Sequence, residues 1–137
     1  MSRAIAILTL VVALVGSQAS AASIDPEKEY SAQYGRCLRQ GDAAKGVTAA
    51  MAACVNTELD RQDARLNTAY KTAMARLSPQ ARLDLRTAQR AWIKARDRSC
   101  QENLTGGTID VIEVPSCHLN MTAVRSVELE RMGRAPR

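Results

Sequence analysis

His118 is the only histidine in the 137-residue chain, and that limits catalysis. A serine or cysteine nucleophile draws its activation from a base, most often histidine. His118 adjoins Cys117, a cysteine expected to be oxidised and therefore unable to attack. Glu58 and Asp63 could supply the carboxylate pair of a glycosidase. No spacing singles them out, however, and both suit ion pairs on a helix surface. The chain reads as not an enzyme. Cys37, Cys54, Cys100 and Cys117 lack the close C-x-x-C pairs of a thiolate metal site and the C-x-x-C-H of haem attachment. No metal and no cofactor is expected.

Polar and cationic residues form more informative groups. Asp63, Asn67 and Tyr70 fall at i, i+4 and i+7, along one edge of a long helical pattern. Gln89 and Arg96 flank Trp92 in the next pattern. Together they can fix the register of two helices through hydrogen bonds, as buried polar groups require. The alternative is a ligand or partner site. Arg82, Arg86, Arg90, Lys94 and Arg98 recur every four residues. At 100° per residue the five spread over about 160° of the helix. Like charges four apart cost roughly a few tenths of a kcal/mol per pair, so helix stability does not favour the ridge. It is either a solvated face or a contact for a polyanion or acidic partner. Aromatics are 3% of the chain, with no Phe, which argues against stacking on nucleic-acid bases. No nucleic-acid partner is expected.

The elements that position these groups can be read in order. Arg3, the apolar stretch from Ala4 to Val15 and the small residues Ala19 to Ala22 form a secretory signal peptide, residues 1–22. The stretch is too short to span a bilayer, which takes roughly 20 residues. Cleavage removes Arg3 and lowers the formal charge from +5 to +4. In an oxidising compartment the four cysteines form two disulfides. Three pairings are open. Cys37–Cys54 and Cys100–Cys117 close the shortest loops, each worth about 3 kcal/mol in the chain-entropy model.

Asp25-Pro26-Glu27 opens a helix that continues through Tyr30, Tyr34 and Leu38. Gly41 and Gly46 bracket a short loop. A long helix runs from Val47 to Leu77, with Met51, Val55, Leu59, Leu66, Ala69, Tyr70, Ala73 and Leu77 on one stripe. Ser78-Pro79 caps and starts the next helix, which reaches Cys100. Its apolar face is read as Ala81, Leu85, Ala88, Trp92, Ala95 and Ser99. So short a turn makes an antiparallel hairpin, with Tyr70 near Thr87, Asn67 near Gln89 and Arg90, and Asp63 near Ile93 to Arg96. Asn103 to Val114 reads as an ordered loop with a short extended piece. A last helix covers Ser116 to Met132, and residues 133–137 are a frayed tail. The fold class is all-α: a small disulfide-stabilised bundle of three to four helices around a long antiparallel hairpin, over residues 23–132.

Several blocks form a wider pattern. They are Cys37 and Cys54, Glu58, Asp63-Ala64-Arg65-Leu66-Asn67-Thr68-Ala69-Tyr70, Ala88-Gln89-Arg90-Ala91-Trp92-Ile93-Lys94-Ala95-Arg96-Asp97-Arg98-Ser99-Cys100, Gly106-Gly107-Thr108, Cys117, and Thr122 to Arg125. This resembles the lysozyme inhibitor LprI-like family of exported bacterial proteins, from about Tyr34 to Leu129. The resemblance implies a helical domain with the local disulfides Cys37–Cys54 and Cys100–Cys117. It places Asp63, Asn67, Tyr70, Gln89, Trp92, Arg96 and Asp97 at recurrent family positions and carries no catalytic role to them.

The same resemblance implies inhibition of lysozyme or a related wall hydrolase. The family takes its name from a lipoprotein, whereas here no cysteine sits near the cleavage site, so no stable membrane anchor is expected. The location is periplasmic or secreted. Animal lysozymes are typically basic, and so is this domain; an acidic patch must face such a partner for steering to be attractive. The loop from Asn103 to Val114, with Asp110 and Glu113, is the candidate contact. The alternatives are a module that binds anionic envelope polymers through the ridge from Arg82 to Arg98, and a structural envelope protein.

Overall fold

Local capping chemistry divides the N-terminal region more finely than its periodicity suggests. A computed structural model describes residues 23–102 and 104–135; the expected signal segment and the last two residues lie outside them. The Asp25 carboxylate accepts the Glu27 amide, and with Pro26 it starts a 3-10 helix, Pro26–Glu29. The chain is extended at Tyr30 and Ser31, and the Ser31 hydroxyl accepts the Tyr34 amide to start α1, Ala32–Leu38. Two caps in succession therefore replace the single expected helix. The expected loop between Gly41 and Gly46 contains a short helix, α2, Gly41–Ala44. Both glycines adopt positive φ, 55° and 79°, and so turn the chain at each end of it.

Three long helices follow: α3, Thr48–Arg76; α4, Pro79–Gln101; and α5, Asp110–Arg134. The all-α, disulfide-bonded class is as the sequence indicates, with bonds Cys37–Cys54 and Cys100–Cys117. Ser78 caps α4 by accepting the Ala81 amide. α5 begins six residues before the expected Ser116. The stretch from Asp110 to Ile112, expected in a loop with an extended piece, forms its first turn, and Pro115 lies inside the helix. Its end also passes Met132 and reaches Arg134. Among the described residues no helix is long and apolar enough to cross a membrane.

The tightest packing joins α3 to α5, rather than α3 to α4 as the hairpin suggested. Small side chains permit it: Ala69 and Ala73 on α3, and Thr122, Ala123 and Ser126 on α5, are all buried. A Cβ on Gly133 would lie 3.2 Å from Thr72 Cγ2, so this glycine lets the two helices close. The two run parallel. Tyr30, beside the Glu58 turn of α3, donates to Asn120 near the start of α5, and Gly133 near its end meets Thr72 and Ala73. The core cluster is Leu66, Ala69, Ala73, Leu85 and Leu129, with Tyr70, Met74, Leu77 and Trp92 against it.

α4 stands further out, and its inward face differs from the expected one. Leu85, Gln89 and Cys100 are buried and Trp92 and Arg96 are half-buried, whereas Ala88, Ala95 and Ser99 are exposed. Long side chains set this spacing, since interaxial distance follows the residues at the contact. The α3 stripe is also more polar than it reads. Glu58 and Gln62 occupy buried positions within it.

Candidate functional site

Three surfaces deserve comparison: a polar cluster between the helices, the α4–α5 loop, and the groove between α3 and α4.

The hairpin register places the polar cluster as expected. Asp63 lies 3.7 Å from Arg96, and Asn67 lies beside Gln89 and Arg90. Arg96 also donates to Thr122 Oγ1 at 3.1 Å and to Asp97 at 3.0 Å, and its guanidinium lies 5.2 Å from the Trp92 ring centre. Arg125 lies 5.9 Å from the same ring, donates to Gln89 Oε1 at 2.9 Å and pairs with Glu128. Trp92 thus meets two cations, each positioned to gain cation–π attraction. Burial pushes the Asp63 carboxyl above its usual range, and Arg96 partly offsets this. His118, which had no assigned place, joins here: its Nε2 lies 3.8 Å from Asp97 but is buried without a hydrogen-bond partner among the described residues. Burial, then the Arg96 charge, lowers its pKa. Most of these groups satisfy one another, so the cluster ties α3, α4 and α5 together. Thr122 and Arg125 completed the motif in sequence, but their α5 location gave no sign that they reach Trp92 and Arg96.

A second tie joins the N-terminal segment to the bundle. Glu58 accepts the Ser31 amide at 2.8 Å, the Ser31 hydroxyl and the Gln62 amide, and pairs with Arg61. Arg65 bridges Glu29 at 2.8 Å and Glu130 at 2.6 Å. Its hydrogen bonds, and to a lesser degree its charge, hold the Glu130 carboxyl below its usual range. Glu58 therefore lies inside the fold rather than on the expected helix surface. The expectation of a surface ion pair failed because periodicity does not reveal that the preceding segment folds back over this turn.

The loop between α4 and α5 is ordered as expected but shorter, because Asp110 to Val114 belongs to α5. Asp110 accepts the Thr105 amide, the Thr105 hydroxyl and the Gly106 amide, the last at 2.8 Å. These bonds, the Thr105 amide first, hold the Asp110 carboxyl below its usual range. They fold the chain around Gly106, whose φ of 76° suits glycine. Cys100–Cys117 closes the base. Asp110 is thus engaged within the loop, whereas Glu113 is exposed. Leu104, Ile109 and Val111 are 54%, 45% and 52% exposed around it. From Ser99 to Val124 there is no Lys or Arg, but there are three carboxylates: Glu102, Asp110 and Glu113. A basic chain therefore contains one stretch that is acidic and apolar.

The cationic ridge is divided by the helical drift. Arg82, Arg86 and Arg90 border depressions between α3 and α4, while Lys94 and Arg98 are exposed beyond them. Among the described residues no group of three His, Cys, Asp or Glu side chains converges to hold a metal ion.

A family model described as Lysozyme inhibitor LprI matches residues 39–129, which contain all of α3 and α4, the loop, and most of α5. No curated protein and no solved structure matches the chain.

Proposed function

The chain belongs to the LprI family of lysozyme inhibitors, and on that footing we propose that it blocks a lysozyme or related wall hydrolase with its α4–α5 loop. The observation that carries this reading is the Asp110-locked loop, with exposed Leu104, Ile109 and Val111 in a stretch of chain, Ser99 to Val124, that has carboxylates and no Lys or Arg. A loop ordered before binding loses less conformational entropy on docking. Apolar side chains at its tip can fill a sugar-binding cleft, and Glu102 and Glu113 can steer a basic enzyme. Asp110 shapes the loop; Glu113 makes the charged contact. Export through the 1–22 leader would place the inhibitor in the envelope, where such hydrolases act.

The test is lysis of a peptidoglycan suspension, with the oxidised chain from residue 23 titrated against a panel of lysozymes. Inhibition should saturate near one-to-one. Val111→Asp should weaken it about tenfold or more, as truncation or disruption of a central contact does. Glu113→Lys should chiefly slow association and remove its salt dependence. Full inhibition by both variants would remove the loop from the interface, and no inhibition of any wall hydrolase would overturn the function.

A further inference from the structure

A second surface lies on the opposite side of the charge distribution. Two depressions between α3 and α4, of about 560 and 350 Å³, share Tyr70 and Arg86 and so adjoin along one groove face. Lys71, Arg82, Arg86 and Arg90 line it, and no carboxylate does. None of these four cations is paired with a carboxylate among the described residues, in contrast to Arg61, Arg65, Arg96 and Arg125. Arg82 donates through Nε to the Met74 carbonyl at 2.9 Å, which fixes it across the groove's end. Successive α4 cations are spaced about 6 Å along the axis, since four residues rise that far.

We propose that this groove binds an extended anionic glycan. The cations supply the charge recognition, but the other lining residues narrow the ligand class. Exposed Asn67 brings a side-chain amide that can exchange hydrogen bonds with hydroxyls, and Gln89 behind it keeps an amide N–H to donate. Gln89 is held in place by Arg125. Tyr70, Leu66 and Ile93 form an apolar strip beside them, suited to the C–H face of a sugar ring. A bare polyphosphate would use only the cations. A flat lipid surface would need the cations in one plane, whereas the ridge turns through about 160° and leaves only three of its five members on the groove. This inference does not depend on lysozyme inhibition, because the loop contributes nothing to the groove.

The probe is an oligogalacturonate, a glycan with a carboxylate on each ring, titrated calorimetrically into the oxidised chain. The comparators are its methyl-esterified neutral form, linear polyphosphate, and vesicles of phosphatidylglycerol and phosphatidylcholine. Binding should saturate and weaken steeply as salt rises, because exposed charges are screened. Arg86→Glu with Arg90→Glu should weaken it at least about tenfold, reflecting reversed charge at the groove. Lys94→Glu with Arg98→Glu makes the same change in net charge off the groove and should cost less than about threefold. Asn67→Ala should weaken the acidic glycan but not polyphosphate. All these positions are exposed, and unchanged melting curves confirm folding. Equal losses from both double variants, indifference to Asn67→Ala, no binding to the acidic glycan, or tighter binding to polyphosphate or vesicles would each overturn the proposal.

Discussion

The two carboxylates that a glycosidase reading would pair meet unlike surroundings. Glu58 is 1% exposed and its oxygens are occupied by Ser31, Gln62 and Arg61. The Asp63 side chain is 45% exposed and faces Arg96. Helix spacing puts both on α3 and is blind to this difference. His118 is the residue whose surroundings make a measurable prediction. Its pKa is lowered by burial and by Arg96, against the opposing pull of Asp97 and Asp63. The folded state therefore holds the proton less tightly than the unfolded chain, whose value is near 6.5. The stabilising contribution is complete above that value and is lost as pH falls from it towards the folded pKa. Urea unfolding at pH 7.5 and 5.5, a range about the ordinary histidine pKa, should show lower stability at the acid end, and His118→Asn should reduce that loss. The same loss in the variant would place its origin elsewhere.

Among the elements, the α3–α4 hairpin was legible because its signals are local. Ser78 and Pro79 fix the turn, and counting outward from it puts Asp63 against Arg96. The start of α5 was not legible. Four of the five residues from Thr108 to Ile112 are β-branched, and Pro115 removes a backbone donor one turn into the helix, where the ring is disfavoured. Side-chain bonds that neither propensity nor periodicity reports override these preferences: Cys117 is tied to Cys100, and Asp110 gathers Thr105 and Gly106. The α4 face was misjudged for a related reason. Ala88 and Ala95 look like core and are exposed, because Gln89 and Arg96 reach partners on α5 that α4's own sequence does not contain. The two disulfides separate stability from site order. Each joins cysteines 17 apart, so removing either should cost about 3 kcal/mol in the chain-entropy model. Only Cys100→Ser with Cys117→Ser releases the base of the loop. Under conditions where both double variants remain folded, that pair should weaken lysozyme inhibition, and Cys37→Ser with Cys54→Ser should not. Equal inhibition by the two would detach the loop from the function.

At the scale of the whole molecule, composition gave the net charge but not its separation. The +5 total conceals a segment of 26 residues, Ser99 to Val124, with no Lys or Arg, and a groove beside α4 from Arg82 to Ile93 lined by four cations and no acid. Arg90, the groove cation nearest the loop, precedes Gln101 at the end of α4 by 11 residues, about 16 Å at 1.5 Å per residue. That distance exceeds the Debye length of about 8 Å at physiological salt, so charges at one end barely influence ligands at the other. The two proposed contacts can therefore be made together without competing. In a sedimentation assay, lysozyme affinity should be unchanged by a saturating oligogalacturonate probe, and the probe should be retained in the complex. Salt should separate the two: groove binding rests on exposed charges and should fall steeply, whereas loop docking rests on apolar burial and should persist. Displacement of lysozyme by the probe, with both losing affinity together as salt rises, would mean that one surface serves both. In that case the charge separation along α4 would carry no functional division.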